Sequence, residues 1–293
     1  MKDVKGITRV CGLIGNPVEH TLSPTIHNYL AERLGEELVY VPFHVETGLL
    51  PQSIKGAYGL NLLGLNVTVP YKTDVLESLL EIDELASKIG AVNTLVRIPG
   101  GYKGYNTDMP GLYRAMIHDG VNLNGEKILI LGAGGVARAV AMMVAKEAEE
   151  IIILNRTIEK AEKIADEVNA YVGKNVVKPM LLEAYDQLPD GEKYLAIQAT
   201  NVGMHPNVND VIIENRDFYH KIHTGYDLIF NPFETRFMKE VEKAGGNAYN
   251  GLKMLLFQGI IAFELWTGRE ISDALAEDTY QVLLREMCRK GKE

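Results

Sequence analysis

The chain has 293 residues, of which 46% are hydrophobic, and a formal net charge of −9 at pH 7. That length predicts two domains or one large one, with enough apolar residues for sizeable cores. The acidic balance argues against general nucleic-acid binding, yet leaves room for a local basic pocket that takes an anionic ligand.

Cys11 and Cys288 are the two cysteines and form no CxxC pair, so neither a metal motif nor a disulfide framework is expected. The opening Met1–Gly6 lacks an apolar h-region, and no apolar run is long enough to span a bilayer. A cytoplasmic protein with no membrane or nucleic-acid partner is the expectation.

In chain order, Val10–Ile14 reads as a buried strand ending at Gly15-Asn16-Pro17. Pro24–Leu34 reads as a helix, with Ser23 as N-cap and Pro24 at the first helical position. Val39–Val45 and Gly64–Val69 read as strands, with a helix over Leu49–Ala57 between them. Helices are predicted over Thr73–Leu80 and Glu81–Ile89, then a hairpin of Ala91–Ile98 and Gly101–Tyr105. Asp108–Asp119 reads as a helix. Lys127–Leu131 is a short apolar strand, Arg138–Glu150 a helix and Ile151–Leu154 a second strand. Further strands are predicted over Tyr194–Ala199 and Gly225–Phe230, and helices over Thr235–Ala244, Gly251–Trp266 and Ile271–Lys290. Strands alternating with helices throughout predict an α/β fold.

Gly132-Ala133-Gly134-Gly135-Val136-Ala137 lies between the first strand and the helix of a β-α-β unit. Gly132 permits the tight turn, Gly134 lets the backbone approach a pyrophosphate, and Ala137 lets helix and strand pack closely. The helix N-terminus offers its N–H groups to the phosphates. An NAD site usually has Asp or Glu after the second strand, for the ribose 2′-hydroxyl. Here Asn155 and Arg156 stand there, followed by Thr157 and Lys160. A guanidinium favours a 2′-phosphate, so NADP(H) is the expected cofactor. A Gly-rich turn that binds nothing, or binds S-adenosylmethionine, is the alternative.

Polar residues gather at element ends in the first third of the chain. Asn66-Val67-Thr68-Val69-Pro70-Tyr71-Lys72 puts a lysine just past a strand. Asn93-Thr94 and Asn106-Thr107-Asp108 add amides and a carboxylate at two more such ends. Ligands bind at such ends in open α/β sheets. None of the seven histidines stands in a motif that singles it out.

Together these segments resemble the shikimate dehydrogenase family. The matching motifs are Ser23-Pro24-x-x-His27-Asn28, Asn66-Val67-Thr68-Val69-Pro70-x-Lys72, Gly90-Ala91-Val92-Asn93-Thr94, Asn106-Thr107-Asp108, Gly132-Ala133-Gly134-Gly135, Asn155-Arg156-Thr157, Asn231-Pro232 and Gly251-x-x-Met254-Leu255-x-x-Gln258. The resemblance implies reversible NADPH-dependent reduction of 3-dehydroshikimate to shikimate, in the biosynthesis of chorismate and the aromatic amino acids. Lys72 and Asp108 match the family's catalytic pair. Thr21 and Ser23 match the residues that bind the substrate carboxylate. Thr68, Asn93, Asp108 and Gln258 match those that bind the ring hydroxyls or ketone. Glu84, Leu228 and Gly251 match positions near the nicotinamide end of the cofactor.

Two departures stand out. Thr21 occupies a position where many members have Ser, and Phe230 one where many have Tyr beside the substrate. Losing that phenol removes a hydrogen bond worth about 0.5–1.5 kcal/mol. The resemblance implies a substrate-binding domain of residues 1–108 with 251–293 and a Rossmann-like NADP domain of residues 109–250. The C-terminal helices return to the first domain, the cleft between the domains is the active site, and hinge closure over substrate is expected. A quinate/shikimate dehydrogenase using NAD(H), a non-catalytic metabolite-binding relative and a methyltransferase are the rivals. The last leaves Lys72, Asn93 and Gln258 unexplained. Apolar stretches of the first domain serve as core or as a homodimer interface.

Overall fold

The computed structural model describes residues 4–290. Met1–Asp3, part of the hexapeptide read above, and the last three residues lie outside the described residues. The chain forms two compact units. One runs up to Leu112 and resumes at Leu255; the other is Tyr113–Met254.

The first unit holds strands β1 (Arg9–Gly15), β2 (Leu38–His44), β3 (Gly64–Val67), β4 (Glu81–Ile82), β5 (Thr94–Ile98) and β6 (Gly101–Tyr105). They form one sheet in the order β2-β1-β3-β5-β6-β4. β1 lies parallel to both β2 and β3, whereas β5 runs antiparallel to β3 and to β6. Helices α1 (Ser23–Arg33), α2 (Leu50–Gly59) and α3 (Glu84–Ile89) connect these strands. Ile14, Leu50, Ile54, Leu65, Val67, Val75 and Leu95 share one buried cluster. The chain leaves this unit through α4 (Asp108–His118) and returns through α8 (Leu252–Thr267), which is followed by α9 (Asp273–Lys290). Trp266 of α8 docks on the sheet, its indole N–H donating to the Leu95 carbonyl at 2.9 Å. Arg33 of α1 pairs with Asp278 of α9 at 3.0 Å.

The second unit is wholly parallel. Strands β7 (Lys127–Leu131), β8 (Glu150–Asn155), β9 (Val177–Leu181), β10 (Tyr194–Gln198), β11 (Ile222–Asp227) and β12 (Asn247–Tyr249) lie in the order β12-β11-β10-β7-β8-β9. From β7 the chain winds outward one way through β8 and β9, then restarts beside β7 and winds the other way. The boundary between β7 and β10 is the switch point at which such sheets open a crevice for ligands. Helices α5 (Gly135–Val144), α6 (Ile158–Val172) and α7 (Arg236–Lys243) belong to this winding. β7, β8 and β10 are almost fully apolar because a parallel sheet is covered on both faces.

Several element boundaries differ from the sequence reading. α5 ends at Val144, six residues before Glu150, because the Gly125 N–H takes the Glu147 carbonyl and the Glu149 N–H takes that of Glu126. Glu150 then starts β8 opposite Lys127. The region predicted as two helices over residues 73–89 is a 3₁₀ turn (Asp74–Ser78), the short β4, and α3. Glu81 and Ile82 are captured by the edge of β6, and the Asp83 carboxylate caps α3 through the Leu85 N–H. β11 begins at Ile222 and stops at Asp227, so Leu228, Ile229 and Phe230 lie in the turn beyond it. Ser23 is the first residue of α1 rather than its N-cap, and it is the Thr21 hydroxyl that accepts the Ser23 N–H at 3.2 Å.

Candidate functional site

Four of the predicted residues meet in the first unit. β3 ends at Val67, and Thr68 still bonds the sheet through its N–H to the Ile14 carbonyl. The chain then turns and presents Lys72, whose ammonium donates to Asp108 Oδ2 at 2.7 Å. Asp108 opens α4. The Asn106 side chain accepts the Asp108 and Met109 N–H groups there at 3.1 and 3.4 Å, so it caps the helix. A carboxylate in the first helical turn also gains from the helix dipole. The pair is half-open, with Lys72 34% and Asp108 18% exposed. The ammonium is therefore reachable by a ligand, while its partner is held.

Asn93 grips the other carboxylate oxygen, donating from Nδ2 to Asp108 Oδ1 at 2.9 Å. The same Nδ2 lies 3.5 Å from Gln258 Oε1, and Gln258 donates onward to the Leu255 carbonyl of its own helix. Asn93 Oδ1 accepts the Thr107 N–H at 2.8 Å and the hydroxyls of Thr107 and Thr94 at 3.1 Å each. Three donors on one face fix which way the amide points.

A buried chain links this group to Thr21 and Ser23. Asn66 of β3 donates to the Asn93 carbonyl at 3.2 Å and to the Thr94 hydroxyl at 3.0 Å. Asn66 Oδ1 accepts the Tyr40 hydroxyl at 2.7 Å. Burial pushes the Tyr40 phenol well above its ordinary pKa, with the nearby Ser23 hydroxyl opposing that rise. Ser23 in turn accepts from the Thr21 hydroxyl at 3.2 Å. His27, one turn along α1 from Ser23, stacks on Tyr40 with ring centroids 4.2 Å apart. It is a core residue: burial drives its imidazole down to about 3, with the nearby Asn66 side chain opposing the fall, and among the described residues neither ring nitrogen has a partner at hydrogen-bond geometry. Asn66, Tyr40, Thr94 and Thr107 were not among the predicted site residues. A polar side chain within a buried strand was the available signal for Asn66 and Thr94. Glu84 stands exposed on α3, paired with Lys88 at 2.6 Å.

The second unit holds the glycine turn. Gly132 has φ +108°, a conformation that favours glycine, and a Cβ there would lie 2.5 Å from Thr200 Cγ2. Gly134 is the N-cap of α5, and no atom lies within 4 Å of a Cβ built on Gly134 or Gly135. Ala133 is partly buried, Val136 is exposed, and Ala137 packs fully buried beneath them. The α5 N-terminus thus faces open space where the backbone can approach a pyrophosphate. Asn155 ends β8 and ties down the next turn by donating to the Thr157 carbonyl at 2.8 Å. Arg156, Thr157 and Lys160 follow, all exposed. These residues fit a dinucleotide that carries a 2′-phosphate. Leu228, Phe230 and Gly251 also belong to this unit. Gly251 donates its N–H to the Ile229 carbonyl at 2.9 Å, and a Cβ on it would sit 2.2 Å from the Leu228 oxygen.

Comparison with known proteins agrees across both units. Residues 13–95 match the shikimate dehydrogenase substrate binding domain, residues 115–187 the shikimate/quinate 5-dehydrogenase family, and residues 251–279 the shikimate 5′-dehydrogenase C-terminal domain. A shikimate dehydrogenase (NADP(+)) of Methanopyrus kandleri is 43% identical over 270 residues, covering 90% of this chain and 91% of its own. A shikimate dehydrogenase crystallised in complex with NADP+ is 38% identical, with a TM-score of 0.86 over 97% of each chain. The Listeria monocytogenes shikimate 5-dehydrogenase, in complex with shikimate and NAD, is 33% identical with a TM-score of 0.87, over 97% of this chain and 99% of its own. Among the described residues, no helix is long and apolar enough to cross a membrane. With this coverage and identity, the chain belongs to the shikimate dehydrogenase family.

Proposed function

We propose that the protein reversibly reduces 3-dehydroshikimate to shikimate with NADPH. The observation that carries this reading is the Lys72–Asp108 pair, held from the far side by Asn93 and left open at the ammonium. When bound, NADPH supplies the hydride that reaches the carbonyl carbon. Lys72 donates a proton to the carbonyl oxygen as negative charge gathers there, and takes it back in the reverse direction. Asp108 keeps the ammonium aimed at that oxygen and accepts from a neighbouring hydroxyl.

Thr21 and Ser23, at the N-terminal end of α1, hold the substrate carboxylate. Thr68, Asn93 and Gln258 read the ring hydroxyls, and Phe230 lies beside the substrate. Gly132, Ala133, Gly134, Gly135, Val136 and Ala137 cradle the pyrophosphate. Asn155, Arg156, Thr157 and Lys160 hold the adenosine ribose and its 2′-phosphate. Glu84, Leu228 and Gly251 border the nicotinamide end.

The test is initial rates on shikimate and on quinate, each with NADP+ and with NAD+. Fast turnover with shikimate and NADP+ alone is the expected result. Comparable rates with quinate or NAD+ move the protein to the broader quinate/shikimate group. No turnover in any pairing refutes the reading.

A further inference from the structure

Asp227 closes β11 and is completely buried. Its hydrogen-bond partners are neutral. The Thr235 hydroxyl donates to Oδ2 at 2.7 Å and the Ile229 N–H to Oδ1 at 3.0 Å. Both oxygens accept, as those of a carboxylate do, while burial pushes the carboxyl up to about 6. A buried carboxylate whose donors are neutral carries a desolvation cost that a neutral side chain does not.

The neighbouring strand ends in an amide that bridges only its own loop. Gln198 ends β10, pairs in register with Asp227 and is equally buried. It folds forward over its own loop, accepting the Thr200 N–H at 2.6 Å and hydroxyl at 2.7 Å and donating to the Val202 carbonyl at 3.0 Å. Strand β11 ends instead in a carboxylate, whose two oxygens each accept from a different end of the next turn. Its two bonds draw together both ends of the turn that leads to α7: Ile229 near the start, and Thr235, the N-cap of α7, at the finish. The opposite side of the turn is held by the Gly251 N–H on the Ile229 carbonyl and by Asn250 Nδ2 on the Phe233 carbonyl at 2.8 Å. Leu228 and Phe230 ride on the segment so clamped.

We infer that Asp227 is a positioning residue, which acts through the Ile229 amide and the Thr235 hydroxyl to hold the Leu228–Phe230 backbone where cofactor and substrate meet it. The inference rests on the placement of Leu228 and Phe230 in the proposed function. An ionised acceptor makes the stronger hydrogen bonds, and stiffness in a ligand-facing turn is what those bonds provide.

The experiment compares Asp227→Asn, Thr235→Val, Thr235→Ser and Phe230→Ala in the full-length enzyme. Calorimetric titration gives Kd for NADP+, and steady-state rates give kcat and KM for shikimate. Near-UV circular dichroism verifies that each variant is folded. Asp227→Asn and Thr235→Val are expected to raise Kd and KM by about five- to tenfold, with kcat within about twofold of the parent. Thr235→Ser, which keeps the hydroxyl, restores both constants. Unchanged Kd and KM in folded Asp227→Asn, beside a raised KM in Phe230→Ala, overturn the inference and leave the reading of the segment intact. Unchanged constants in Phe230→Ala as well overturn both. Should Thr235→Val not fold, Asp227→Asn, which alters only one atom and the charge, still decides the matter.

Discussion

Replacing Asp227 with Asn is expected to change the pH dependence of stability in a definite direction. The carboxyl sits at about 6 in the folded protein and at 3.8 when unperturbed, and burial is the main cause. Because the folded-state value is the higher one, the neutral form is favoured by folding. The associated stability is complete below 3.8 and is lost as pH rises through about 6. The full loss is about 3 kcal/mol, and roughly half of it falls between pH 5 and pH 8. Asparagine is neutral throughout and escapes that loss. Urea unfolding of both proteins at pH 5 and pH 8 measures it, since acid effects elsewhere in the chain cancel in the difference. The variant should gain on the order of 1 kcal/mol on the parent over that interval. A stability difference that stays constant with pH refutes the reasoning. Greater stability at pH 8 together with weaker NADP+ binding would mark a charge retained for binding rather than for folding.

Lys72→Ala is expected to lower kcat by about 10²-fold or more and leave the Kd for NADPH unchanged; near-normal turnover removes Lys72 from proton transfer. Arg156→Ala should weaken NADPH binding about tenfold or more and NADH binding hardly at all, and equal losses mean that Arg156 does not read the 2′-phosphate. Trp266→Phe leaves the buried Leu95 carbonyl without its 2.9 Å donor. A loss of about 1–3 kcal/mol in denaturant unfolding is expected, and no loss means that another donor takes over.

Legibility followed the range of the forces. The strand of Lys127–Leu131 and the turn at Gly132 were readable because an apolar run and a glycine that needs positive φ are both local signals. The end of α5 was not. Lys146, Glu147, Ala148 and Glu149 are good helix formers, but the Glu147 carbonyl and the Glu149 N–H are taken by Gly125 and Glu126 in another part of the chain. Likewise β4 is two residues long and exists only because β6 offers it an edge. Of the site, Lys72, Asn93 and Asp108 could be picked out as polar groups at element ends. The Tyr40–Asn66 bond spans 26 residues and joins two side chains that local pattern treats as ordinary strand positions. His27 could not be told from a surface histidine until Tyr40 was seen stacked on it. Asp227 falls inside the strand predicted over Gly225–Phe230, where a lone carboxylate in an apolar run is itself a signal.

The three donors on Asn93 Oδ1 have a consequence for recognition. Turning that amide over would point an NH₂ at a backbone N–H and two hydroxyls, leaving the backbone donor without an acceptor. The rotation is therefore closed to the folded chain, and its entropy is given up once, when the protein folds. For the second amide hydrogen, a ligand at the proposed site competes only with Gln258 Oε1, at 3.5 Å. The Asn93 amide offers a donor there and cannot rotate to offer an acceptor. On the proposed reading of Asn93 as a substrate contact, that one contact is set for an oxygen acceptor before any ligand binds, and it cannot be relaxed by a change of rotamer.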